Sequence, residues 1–132
     1  HFVPGTHGST FGGNALACSV GSYVVDKVST KEFLDGVKQK GAYIKASVAK
    51  LNEKYHVFSE VRGEGLLLGL VLNDKFHGKS SELQKLCFKH KLLTLTAHGD
   101  VLRLAPALNI KKSMLDRAMN LLDKALADFT KA

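Results

Sequence analysis

The chain has 132 residues, 45% of them hydrophobic and 23% charged, with a formal net charge of +7 and a pI of about 9.5. This balance excludes a charge-dominated disordered segment, and no apolar run approaches the roughly 20 residues that a membrane-spanning helix needs. The excess lysines are spread along the chain, interrupted by Asp and Glu and unaccompanied by an aromatic RNA-binding motif, so a solvated surface is expected, with no nucleic-acid partner and no membrane partner.

Chain order begins with the glycine-rich stretch PGTHGSTFGGN, Pro4 to Asn14, which runs into ALACSVGSYVVDKV. Glycines at Gly5, Gly8, Gly12 and Gly13 let a backbone curl close to a ligand, and Ser9 and Thr10 place two hydroxyls between them. A helix starting just after such a loop turns unpaired N–H groups and its positive dipole end outward, which suits a phosphate or carboxylate. A glycine-rich turn with a polar cap accounts for the same residues, and from the residues alone both readings stand. The stretch is not a P-loop, because no lysine precedes Lys27, and it is not a dinucleotide fingerprint, because no strand leads into it.

From Ala15 to about Val28, Leu16, Ala17, Val20, Val24 and Val28 recur at helical spacing, while Cys18 and Val25 make other faces apolar too. Such a helix asks for burial on several sides. That demand, together with the start at His1, leads us to expect a soluble piece of a longer polypeptide. Ser29 to Glu32 has capping-box spacing and opens a second helix on a stripe of Phe33, Val37, Ile44, Val48 and Leu51, ending near Lys54.

Val57 to Arg62 and Leu66 to Leu72 read as two strands separated by Gly63-Glu64-Gly65, where close backbone packing is expected. Ser80-Ser81 is expected to cap a short helix carrying Leu83, Leu86 and Cys87. Leu92 to Thr96 and Val101 to Leu108 read as neighbouring strands about a turn at His98-Gly99-Asp100, and Ser113 to Asp116 is expected to cap a last helix through Phe129. The fold class expected from this order is α+β, helices packed over a small, largely antiparallel sheet. Cys18 and Cys87 are expected as reduced core residues of a cytoplasmic protein, and the histidines show no metal-ligand spacing.

Arg103 stands in VLRLAPALNI with apolar neighbours on both sides, in a segment expected to be mostly buried. Its guanidinium cannot be deprotonated and its fork matches a carboxylate, so either a structural ion pair or a bound carboxylate is expected.

Three motifs carry a resemblance. HGSTFGGN followed by ALA, VRGEGLLLGLVL, and LLTLTAHGD leading into VLRLAPALNI resemble, in the same order, segments of the class III pyridoxal-phosphate aminotransferases, the acetylornithine and ornithine transaminase group. The resemblance implies the C-terminal part of a fold-type I enzyme that works as a homodimer. Residues 1–28 would end the large cofactor-binding domain, and residues 29–132 would form the small domain. It implies pyridoxal phosphate as cofactor, with Thr10 bonding its phosphate, Ser9 lining the site against the substrate, Arg103 holding a substrate carboxylate, and the loop from Gly8 to Asn14 at the subunit interface. The implied reaction moves the terminal amino group of N-acetylornithine to 2-oxoglutarate, as in arginine biosynthesis. The lysine that forms the Schiff base lies upstream of HGSTFGGN in the family, so this chain alone is expected to carry no catalytic residue and to be inactive. Ala15 departs from the proline of many members. Ornithine or another ω-amino acid as donor, a non-catalytic module for a phosphorylated ligand, and a basic nucleic-acid-binding domain are the rivals.

Overall fold

The computed structural model describes residues 3, 5 and 8–131; the Pro4, Thr6 and His7 part of the glycine-rich stretch lies outside them. The chain divides into two compact units, residues 1–35 and 36–132.

The first unit holds the Ser9–Thr10 loop and helix α1 (Ala15–Val28). Asn14 caps α1: its Oδ1 accepts from the Ala17 N–H at 2.9 Å and its Nδ2 donates to the Phe11 carbonyl at 2.6 Å. No residue of α1 is buried, and Cys18, expected in a core, is exposed; an all-round apolar helix leaves every face uncovered when none meets a partner surface. Helix α2 (Lys31–Tyr55) starts one residue later than its capping-box spacing implies: the Phe33 N–H donates to Thr30 Oγ1, not to Ser29, which closes the end of α1 instead.

The second unit is a four-stranded sheet, β1 (Phe58–Glu64), β2 (Leu67–Leu72), β3 (Leu95–Ala97) and β4 (Val101–Leu104), in the order β1-β2-β4-β3 and antiparallel throughout. Helix α3 (Ser80–Lys89) and helix α4 (Lys112–Phe129) join most of α2 in covering it. Leu68, Leu70, Leu72, Leu102 and Leu104 alternate onto the covered face and meet Ile44 and Val48 of α2, Leu83 and Cys87 of α3, and Leu115, Leu122, Leu126 and Phe129 of α4. The α+β class expected from the sequence is the class observed.

Two local devices set the register. Asn52 returns from the end of α2 to pair with Phe58 as a strand would, donating to its carbonyl and accepting from its N–H, both at 2.8 Å. At Gly63, φ is +114° and a Cβ would lie 2.1 Å from the Leu67 carbonyl oxygen, so the hairpin closes there only without a side chain. The expected serine caps of α3 and α4 do not form. Ser80 and Ser113 already lie inside their helices, the caps are Lys79 and Lys111 without side-chain bonds, and the Ser80 hydroxyl is buried with no partner among the described residues. Strands β3 and β4 are shorter than their apolar runs, because Leu92 to Thr94 and the residues after Leu104 leave the ladder.

Carboxylates on α4 fasten the helical layer. Asp116 accepts from the Tyr43 hydroxyl and from Lys112 at 2.9 Å, Asp123 from the Tyr55 hydroxyl at 2.8 Å, and Asp128 pairs with His90 at 3.0 Å and Lys89 at 3.1 Å. These contacts hold all three acids below the usual carboxylate range, led by Tyr43, Tyr55 and His90 respectively. Cys87 moves the other way, pushed up to about 11 by burial.

Candidate functional site

Ser9 and Thr10 stand side by side in an exposed turn that the Gly12 N–H closes onto the Ser9 carbonyl at 3.2 Å. A Cβ on Gly12 would lie 2.5 Å from Ser9 Oγ, so the missing side chain leaves that hydroxyl its room. Among the described residues neither hydroxyl is bonded to another group, and the turn feeds the amino end of α1. Two open hydroxyls and small residues before a helix start fit a phosphate: the hydroxyls donate, and the backbone can approach without obstruction. Part of the helix's donor capacity is already committed, since Asn14 takes the Ala17 N–H. The polar cap that the stretch allowed is Asn14, an asparagine just before an apolar helical run.

Arg103 belongs to the second unit. It sits on β4 opposite Gly69 of β2 on one side and Leu95 of β3 on the other. Its strand is buried at Val101, Leu102 and Leu104, yet Arg103 itself is exposed, which corrects the expectation of a buried position: alternation sends Leu102 and Leu104 into the core and the guanidinium to the opposite face. Among the described residues no acidic side chain pairs with it, so the structural ion pair that its setting allowed is not formed within them. Arg103 also borders a cavity of ≈ 470 Å³ otherwise lined by apolar residues such as Ile44, Phe88, Leu93, Leu95 and Met119 together with Thr94.

Among the described residues no group of three His, Cys, Asp or Glu side chains is placed to hold a metal ion, and no helix is long and apolar enough to cross a membrane.

The model of the class III aminotransferases matches residues 1–126, and the chain belongs to that family. It is 44% identical over 132 residues to the acetylornithine aminotransferase of Shewanella oneidensis, covering 100% of this chain and 33% of that protein. It is 44% identical over 128 residues to the succinylornithine transaminase of Photorhabdus laumondii, covering 97% of this chain and 32% of that one. The crystal structure of N-acetylornithine aminotransferase from Stenotrophomonas maltophilia superimposes with a TM-score of 0.85 at 37% identity, over 89% of this chain and 32% of that one. The chain thus spans about a third of the length of the curated relatives it matches.

Proposed function

We propose that the chain acts as the C-terminal portion of a pyridoxal-phosphate-dependent aminotransferase that moves the terminal amino group of N-acetylornithine to 2-oxoglutarate, a step of arginine biosynthesis. Residues 1–28 then close the large cofactor-binding domain and residues 29–132 form the small domain. The observation that carries the reading is Arg103, an exposed guanidinium without an acidic partner among the described residues, in a chain of this family.

In this reading Thr10 donates its hydroxyl to the cofactor phosphate, and the space kept by Gly12 lets Ser9 face the substrate. The cofactor supplies an electron sink for the bond broken at the amine-bearing carbon. Arg103 takes the substrate carboxylate in its planar fork, which fixes the rotation of the reacting carbon and so selects the bond that breaks. The loop from Gly8 to Asn14 serves the site of the other subunit of a homodimer, and the exposed apolar α1 beside it is consistent with burial in such an assembly. Two unpaired cysteines agree with a cytoplasmic enzyme. The chain on its own has no lysine in the reactive role, so the 132 residues supplied with pyridoxal phosphate should show no turnover.

The test is to add pyridoxal phosphate to the intact protein and follow both the visible absorption of the bound cofactor and glutamate formation from N-acetylornithine and 2-oxoglutarate. Absence of both overturns the reading. Thr10→Ala should weaken cofactor affinity about tenfold, the worth of one hydrogen bond to a charged group, and an unchanged affinity removes Thr10 from the phosphate site. Arg103→Ala should lower kcat/KM for 2-oxoglutarate about 100-fold, and unaffected kinetics would leave it a purely structural residue. Equal similarity to a succinylornithine transaminase favours a second donor, so kcat/KM for succinylornithine, acetylornithine and ornithine should be compared in one preparation.

A further inference from the structure

The Asn14 side chain is bonded at both of its ends. Its Oδ1 accepts from the Ala17 N–H at 2.9 Å, in the first turn of α1, and its Nδ2 donates to the Phe11 carbonyl at 2.6 Å, in the turn that carries Thr10. The amide offers an acceptor on one side and donors on the other, so an N–H and a carbonyl together admit only one orientation of it. The backbone N–H of Asn14 reaches the same Phe11 carbonyl at 3.4 Å. Gly13, between the two residues, has a φ of +76°, a left-handed turn that brings both nitrogens of Asn14 within reach of that carbonyl and that a side chain would strain.

Little else anchors this turn. Residues 8–14 are all exposed, and the Phe11 ring, 81% exposed, gives it no hold of its own. Among the described residues, the other hydrogen bond across the turn runs from the Gly12 N–H to the Ser9 carbonyl. A loop this open samples many arrangements unless something fixes it, and a ligand that binds it then bears the cost of ordering it. Capping accounts for the Oδ1 bond alone, and serine, threonine or aspartate would cap as well. The Nδ2 bond does nothing for the helix, because Phe11 lies outside it.

We propose that Asn14 is a positioning residue for the cofactor phosphate: by pinning the Phe11 carbonyl to the capped end of α1, it fixes the peptide that follows Thr10 and presents the Thr10 hydroxyl already ordered. The inference rests on the phosphate role given to Thr10 above.

The experiment separates the two bonds in the intact protein, stripped of cofactor and titrated with pyridoxal phosphate. Asn14→Ser keeps a capping oxygen for Ala17 and loses the arm that reaches Phe11, whereas Asn14→Ala loses both. Each should weaken pyridoxal-phosphate binding about fivefold, the scale of one neutral hydrogen bond, while the thermal midpoint of the cofactor-free protein falls only for Asn14→Ala. Added to Thr10→Ala, Asn14→Ser should weaken binding by less than about twofold further, since a residue that acts through Thr10 then has nothing left to position. Parent-like affinity in Asn14→Ser, with loss in Asn14→Ala alone, assigns the effect to the helix cap and overturns the inference. An undiminished loss in the Thr10→Ala background overturns it too, because Asn14 then acts elsewhere. Unchanged affinity in Thr10→Ala itself removes the phosphate reading and this inference with it; a Thr10 effect beside a silent Asn14→Ser removes Asn14 alone.

Discussion

In α4, six residues between Leu115 and Phe129 are buried, whereas α1, carrying Leu16, Val20, Val24 and Val25, buries none. The difference lies in arrangement. Apolar residues of α4 fall on one stripe and its acids on the flanks, so one packed layer satisfies the helix and Asp116, Asp123 and Asp128 tie its margins to Tyr43, Tyr55 and His90. Those of α1 run round the axis, so no single surface can cover them. A helix of the first kind completes a unit; one of the second kind is left with every face uncovered among the described residues.

The sharpest way to break this comparison is to truncate one leucine in each helix. Leu122 is fully buried, and Leu122→Ala should cost 2–5 kcal/mol through lost burial and the cavity left behind, roughly, as core truncations do. Leu16 is 76% exposed, and Leu16→Ala should change the stability of this chain by no more than about 0.5 kcal/mol. Urea unfolding of both variants decides it, and comparable losses would mean that α1 is covered after all.

Glycines sharpen the same contrast with a smaller effect. On α2, a Cβ at Gly41 would come 2.2 Å from the Gly65 carbonyl oxygen, so helix and hairpin turn touch backbone to backbone, and Gly41→Ala should destabilise by about 1–3 kcal/mol. Gly21 on α1 has nothing within 4 Å of the corresponding position, and Gly21→Ala should stabilise by up to about 1 kcal/mol from helix propensity. Opposite signs in thermal unfolding are the expected result. Thiol labelling reads the two regions without any substitution: Cys18 is exposed and should react at neutral pH, while Cys87, buried and pushed up to about 11, should react only after unfolding. Fast labelling of both would show that the α3 region opens.

These variants also mark where reading the sequence succeeds. Helical and strand periods are local, so the extent of α1, the stripe of α2 and the pairing of β3 with β4 follow from spacing alone. Caps are less legible, because Ser29, Ser80 and Ser113 match the right pattern one or two residues away from the true caps. Arg103 looked buried because its neighbours are, although strict alternation puts it on the other face from Leu102 and Leu104. The closeness of Gly41 to Gly65, and of Arg62 to Gly69, is set by tertiary crossing and strand register, which no run of residues displays.

The smallest expected effect concerns acid. Asp123 is held below the usual carboxylate range chiefly by the Tyr55 hydroxyl and then by Lys54, so the folded chain binds its proton less readily than the unfolded one. Stability from this contact is therefore complete above the ordinary carboxylate range near pH 4 and is lost as pH falls through the lower folded value. Asp116 and Asp128 act in the same direction, so acid should loosen the attachment of α4 to Tyr43, Tyr55 and His90 before it disturbs the leucine core. Tyr55→Phe removes the leading contribution at Asp123 and should flatten the fall of the urea midpoint as pH drops below the ordinary carboxylate range, while leaving its value at neutral pH only slightly lower. A Tyr55→Phe variant with the parent's acid slope would show that these carboxylates do not fasten α4, and the contrast with α1 would then rest on apolar packing alone.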